Sequence, residues 1–123
     1  MHAGEDLEAM KAMESNVLLT GVVSFHAQQC SEKCFKAVLI EYKDSVPRIH
    51  DLVRLHALVV DLCQLENIDM DILRELSDLY IDTRYPSEFG TLPTGRPDLE
   101  DASRFIKFAQ SLHERISIMM KKL

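Results

Sequence analysis

The sequence predicts an all-α protein, an up-and-down bundle of four or five helices in a single domain. Its 123 residues fit one domain with one core. Apolar residues recur three and four positions apart along most of the chain, and no run of alternating β-branched residues competes with that helical spacing. Only four Gly and four Pro occur, and more than half of them lie in the range 86–97, so the segments elsewhere are long and uninterrupted.

The first two helices are predicted on either side of a break. Apolar spacing predicts a short helix over Glu5–Glu14, whose early acids complement the helix dipole. Gly21 weakens a helix, so we expect a break within Ser15–Gly21. The second helix is expected from Gly21 to Tyr42, before the polar stop Lys43-Asp44-Ser45.

Three further helices are predicted after Pro47. The third runs from Ile49 to about Leu65, and Asn67 or Asp69 can cap a fourth that continues to Tyr80. The last helix opens at Pro97-Asp98, with a capping partner three residues later. Its apolar stripe is the cleanest in the chain: Ala102, Phe105, Ile106, Ala109, Leu112, Ile116, Met119 and Leu123. The connection Tyr85–Arg96 is long for a small bundle, and such loops are often functional.

Composition excludes several classes of protein. The net charge of −6 gives no general attraction to a phosphate backbone, so any nucleic-acid contact must come from a few placed Arg and Lys. Three Cys without a secretory signal pattern do not make a disulfide framework, which favours the cytoplasm. No apolar run approaches the roughly 20 residues that cross a bilayer. We therefore expect a cytoplasmic protein with no membrane contact.

The stretch Gln28–Leu39 is the most informative part of the second helix. It places Ala27, Cys30, Cys34 and Val38 on one face, bordered by polar and charged side chains. Such a border is either a solvated edge, since charge pairs four residues apart decorate most surface helices, or the wall of a site. Spacing alone leaves both interpretations open.

Metal binding and cysteine catalysis are disfavoured. His26, Cys30 and Cys34 share a helix face, but the helix rise spreads them over about 12 Å, so they cannot all reach one ion. Both cysteines lie in an apolar stripe, where inert thiols are expected. The acids from Asp69 to Asp82 are expected on a solvated face, although Asp78 and Asp82 could hold a divalent ion. The sequence thus predicts no metal and no cofactor.

Two polar groups at predicted helix ends carry open alternatives. His50, followed by Asp51, is either a cap and packing residue or a functional imidazole. Arg84 and Tyr85 close the fourth helix at the start of the long loop. Arg84 either complements the helix dipole or, with the aromatic ring beside it, forms a phosphate-and-base pair.

Three segments, in order, resemble HEPN domains. Gln29–Leu39 resembles the helix A-x-E-K-x-x-K-A-x-L, with Cys30 and Cys34 where Ala is usual. Ile49–Leu55 is similar to the helix start x-H-D-L-x-x-L, and Tyr80–Pro86 to the helix end Y-x-x-x-R-Y-P. The resemblance spans nearly the whole chain. It implies a helical bundle, usually a homodimer, that binds a nucleotide or RNA and works with a minimal nucleotidyltransferase partner, often in toxin–antitoxin-like pairs.

The resemblance does not extend to the ribonuclease motif of the family. Ribonuclease members carry an Arg and a His four to six residues apart. Here the first His after Arg84 is His113, which is far beyond that spacing. Two pairs, Arg48 with His50 and Arg54 with His56, are too close. We therefore expect the subgroup that ends its fourth helix in Arg-Tyr-Pro, and a protein that is not an enzyme.

The resemblance implies a ligand site made by Glu32, Lys33, His50, Arg84 and Tyr85. Lys33 and Arg84 would converge on one cavity and supply charge to a phosphate. Tyr85 would stack on a base or pack the dimer interface. Glu32 would orient Lys33 or Arg84, and His50 would donate a hydrogen bond. One alternative is an endoribonuclease toxin with a composite site that uses His50. Another is a purely structural dimeric partner, in which these residues are sealed in pairs without an adjoining cleft.

Overall fold

Five α-helices and a short 3-10 helix make up the regular structure of the described residues, which are 3–63, 65, 67–79 and 90–121 of a computed structural model. The helices are α1 (Ala3–Met13), α2 (Thr20–Lys43), α3 (Leu52–Val60), α4 (Met70–Ser77) and α5 (Leu99–Lys121), and the 3-10 helix spans Val17–Leu19. The predicted all-α bundle is confirmed. The expected break before α2 is the 3-10 turn, where the Asn16 side chain accepts from Leu18 N.

Side-chain caps mark where α3 and α4 begin, and α3 is shorter than the apolar pattern predicted. The Asp51 carboxylate accepts from the backbone N–H of Val53 and Arg54, so α3 begins at Leu52 rather than Ile49. That helix also ends five residues before the expected Leu65. Asp69 caps α4, whereas Asn67 takes a left-handed backbone with φ of 62° and does not cap it.

The start of α5 follows the predicted capping pattern. Asp98 N donates to Asp101 Oδ2 at 3.0 Å, and Asp101 N donates to Asp98 Oδ1 at 2.7 Å. Arg104 then bridges Asp101 at 2.8 Å and Glu75 of α4 at 3.1 Å, which ties the two helices together.

The core is built around α2, which packs against each of the other four helices. Its buried apolar residues include the predicted face of Ala27, Cys30, Cys34 and Val38. Six residues of the predicted α5 stripe, from Ala102 to Ile116, are buried with them, and Met119 is partly buried. Leu123 and Tyr80 lie outside the described residues.

The long helices α2 and α5 run in the same direction. Arg96 donates to the Val17 carbonyl before the two helices begin, and Cys30 lies against the Ala109 carbonyl further along; both pairs are 79 positions apart in sequence. The segment that leads into α5 is fixed by Gly90, whose φ is +71°. A Cβ on Gly90 would overlap the Gly21 carbonyl group, so only glycine allows this close approach.

Of the helices in the described part of the chain, none combines the length and apolar character needed to cross a lipid bilayer.

Candidate functional site: a carboxylate and an imidazole beside a cleft

A buried carboxylate on α2 gathers three polar side chains. Glu32 is only 7% exposed, and it accepts from Gln28 Nε2 at 3.4 Å and Lys36 Nζ at 3.3 Å, one turn away on either side. His50, from the segment before α3, places Nδ1 at 3.1 Å from Glu32 Oε1. A buried carboxylate requires such partners, because an uncompensated charge in the interior is very costly.

The contact with Glu32 fixes the orientation of the His50 ring. An ionised carboxylate can only accept hydrogen bonds, so Nδ1 carries the proton in this contact. The side chain of His50 is nevertheless 78% exposed. Its Nε2 atom is therefore the ring nitrogen available for a second contact. This is the arrangement in which an imidazole is held in one tautomer by a carboxylate.

An open cleft of about 370 Å³ adjoins this pair. It is lined by Gln28, His50, Asp51, Ser77, Asp78 and Leu79. Ser77 stiffens the rim, because its hydroxyl donates to Asp51 Oδ1 at 3.1 Å and accepts from Leu52 N at 3.1 Å. The cleft thus combines carboxylate and amide acceptors with one imidazole. Glu32 and His50 do not meet the condition set for the purely structural alternative, since a cleft lies beside them.

Lys33 points to a different neighbour. Its Nζ donates to Asp6 Oδ2 of α1 at 2.8 Å, and His26 Nδ1 lies 2.9 Å from Asp6 Oδ1. Of the two basic partners expected for Glu32, Lys33 is therefore not the one that it orients, and Arg84 lies outside the described residues. Consecutive helical residues point about 100° apart, so Glu32 faces His50 while Lys33 faces α1.

Arg84 and Tyr85 lie outside the described residues. The expected convergence of Lys33 and Arg84 on one cavity therefore stays a prediction. The same holds for Asp82 and the divalent-ion site suggested for it with Asp78. Leu79, the last described residue before Arg84, lines the cleft.

The cysteines of α2 lie in the core. Cys30 and Cys34 are completely buried; the neighbouring Cys30 thiol and burial raise the pKa of Cys34 far above its usual range, which keeps the thiol protonated. This supports the expectation of inert thiols on α2. No group of three or more His, Cys, Asp or Glu suited to a metal occurs among the described residues.

Sequence reasoning missed Asp6 and Ser77. Asp6 is 6% exposed and belongs to the buried face of α1 with Ala3, Leu7 and Met10, so the spacing of these residues could have marked it as a charge in need of a partner. Ser77 had no comparable signal, because its role depends on α3 and α4 meeting in space.

A family model of the HEPN domain matches residues 2–119, which is nearly the entire chain. The chain belongs to the HEPN domain family. Membership places it among helical modules connected with nucleotides and RNA. No curated protein and no solved structure matches the sequence. In this HEPN domain, two of the three motif segments are described, and they meet through Glu32 and His50.

Proposed function

We propose that this HEPN domain binds a nucleotide or an RNA phosphate group in the cleft beside His50. In this proposal it acts as a homodimer with a minimal nucleotidyltransferase partner, as a member of the subgroup with the Arg-Tyr-Pro helix end. The observation that carries the proposal is the buried Glu32, which holds an exposed imidazole at the rim of a polar cleft.

The chemistry of the lining divides the ligand into two parts. Asp51, Asp78 and Gln28 offer oxygen acceptors, which match ribose hydroxyls and the amino groups of bases. Two carboxylates repel a phosphate, so the phosphate belongs on the side of His50 and Lys36. The apolar Leu79 offers a surface for a base or sugar.

The proposed roles follow from this division. In its doubly protonated form, His50 donates from Nε2 to a phosphate oxygen while Nδ1 donates to Glu32, which keeps the ring oriented for that contact. Arg84 supplies a planar guanidinium to the same phosphate, and Tyr85 stacks on a base; these two roles rest on the sequence motif. Lys33, which Asp6 holds, links α2 to α1 in this proposal and does not contact the ligand.

Isothermal titration calorimetry tests the ligand part of the proposal. Wild type is titrated with ribonucleoside monophosphates, triphosphates and a short single-stranded RNA. We expect saturable binding that His50→Ala and Arg84→Ala each weaken about tenfold or more. His113→Ala is the matched control, because His113 lines a different surface with Leu7 and Lys107. Absence of binding by the wild type to every probe would remove the proposal.

The partner part has a separate test. Where a gene beside this one encodes a minimal nucleotidyltransferase, the two proteins are expressed together and purified through a tag on the nucleotidyltransferase. Co-purification at a fixed ratio supports the pair. Complete separation of two folded proteins contradicts it and leaves the ligand proposal unaffected.

The contact between Glu32 and His50 also favours a second candidate function, an endoribonuclease with a composite site. His50 Nε2 would take the proton of a ribose 2′-hydroxyl, the 2′-oxygen would attack phosphorus, and the bond to the 5′-oxygen would break with proton transfer to that oxygen. The products would be a 2′,3′-cyclic phosphate and a 5′-hydroxyl. Cleavage of a labelled RNA that His50→Ala abolishes supports this candidate. Intact RNA after prolonged incubation with folded wild type contradicts it.

A further inference from the structure

Helix α3 is unusually apolar for a helix at the protein surface. Leu52, Leu55 and Val59 point into the core and are fully buried. The opposite face carries Arg54, Ala57 and Asp61, which are all exposed. Val53, Leu58 and Val60 flank that face on its two sides, and Val60 is 41% exposed. Apart from Arg54 and His56, every residue of this helix is apolar.

A shallow groove lies along the same face. It measures about 240 Å³ and is lined by Ile49, Arg54, Ala57 and Leu58. Apolar grooves on a helix face accept the side chains of another helix. The small Ala57 at its middle allows such a helix to approach closely.

We propose that the α3 helix of a second copy of this chain covers this face, with the two helices antiparallel across a two-fold axis near Ala57 and Leu58. In that arrangement a residue three positions before Ala57 lies opposite a residue three positions after Leu58. Arg54 of each copy therefore faces Asp61 of the partner subunit, and symmetry forms the ion pair twice.

The charges at these positions support a second copy as the occupant. Within the described residues, neither the Arg54 guanidinium nor the Asp61 carboxylate has an ion-pair partner. A basic and an acidic side chain at equal distances from the centre of one apolar helix are self-complementary only in the antiparallel pairing. A parallel pairing would place each charge beside its own kind, which is repulsive.

This inference rests on the homodimer in the proposed function, and it is independent of any ligand. Sedimentation equilibrium without nucleotide, from a few to about 200 micromolar protein, measures the association. The variants are Arg54→Asp and Asp61→Arg. Each places an acid nearer the start or a base nearer the end of α3, which favours the helix dipole, so circular dichroism should show an unchanged fold.

We expect wild type to dimerise and each single variant to dissociate about tenfold or more readily, because two attractive pairs become repulsive. An equimolar mixture of the two variants should regain the wild-type association. In the mixed dimer one copy carries only acids at positions 54 and 61 and the other only bases, so both pairs are attractive again. The control Ile118→Asp, at an exposed apolar position of α5, should dimerise like wild type.

Four results would overturn the inference. A wild type that stays monomeric removes it together with the proposed homodimer. Single variants that dimerise normally, or a mixture that stays monomeric, remove this interface and leave the homodimer proposal standing. Dissociation caused by Ile118→Asp alone would place the interface on α5 instead.

Discussion

His50 Nδ1 lies 3.1 Å from Glu32 Oε1, although the two residues are 18 positions apart and belong to different motif segments. The carboxylate is buried and the imidazole is exposed, so the contact links the interior of α2 to the cleft surface. The contact therefore favours one orientation of the ring before a ligand binds. Preorganisation of this kind strengthens binding, because the side chain has less freedom to lose.

Glu32→Gln tests this orientation directly. A neutral amide can donate as well as accept, so it no longer enforces a proton on His50 Nδ1. We expect affinity for the best nucleotide or RNA probe to fall about tenfold, which corresponds to about 1.4 kcal/mol. Calorimetry on Glu32→Gln measures this, and Glu114→Gln is the control because Glu114 lies with His113 on a different surface. Equal affinities for the two variants would show that Glu32 does not support the ligand site.

The contacts of Asp6 predict a structural role for the Lys33 pair. Asp6→Ala removes the carboxylate that His26 and Lys33 share, so α1 loses these two polar contacts with α2. We expect the free energy of unfolding to fall by about 2 to 3 kcal/mol in urea titrations. Asp71→Ala is the matched control, because its pair with Arg74 is exposed and should contribute less than about 0.5 kcal/mol. Similar losses in both variants would contradict this role.

The approach of Gly90 to Gly21 predicts a strong effect of a single methyl group. Gly90→Ala requires a left-handed backbone and places its Cβ on the Gly21 carbonyl group. We expect a loss of about 2 kcal/mol or more in the free energy of unfolding. Gly4→Ala, where the added Cβ meets open space in α1, should be neutral or stabilising by up to about 1 kcal/mol. A harmless Gly90→Ala would mean that the two backbone segments do not touch.

His56 predicts a pH dependence of stability. Burial lowers the pKa of His56 below its usual 6.5, and a hydrogen bond to the Leu65 backbone opposes this only in part. On acidification the unfolded chain binds the proton first. The contribution of the neutral His56 to the free energy of unfolding is therefore complete above pH 6.5, and it is lost as the pH falls toward the lower folded pKa. Urea midpoints between about pH 8 and 5 should therefore fall more steeply for wild type than for His56→Gln. Parallel curves would contradict the assignment.

Periodicity and capping chemistry predicted most of the fold. The stripe of α5 and the Asp98–Asp101 cap depend on residues close in sequence, and both are confirmed. The predicted ends of α3 were wrong, because apolar spacing continues past Val60 although the helix does not. Where apolar periodicity continues beyond a helix, only a side-chain cap marks the boundary. At the start of α3 that cap is Asp51.

The candidate site was less predictable. Motif order identified Glu32 and His50, and the structure brings these two together. Motif order could not assign the partner of Lys33, because the choice between two faces of α2 depends on where α1 packs. The same limit applies to Ser77, whose contact with Asp51 arises only when α4 meets the start of α3.

Ligand binding in the cleft beside His50 is measured by nitrogen-15 NMR of the His50 ring nitrogens during titration with ribonucleoside monophosphates and a short RNA. If the ligand binds there, we expect saturable shifts of His50 Nε2 and of the backbone amides of Gln28 and Ser77, while the rings of His26 and His113 stay unchanged. Shifts that are absent at His50, or that are confined to the α1 and α5 surface around His113, would contradict it.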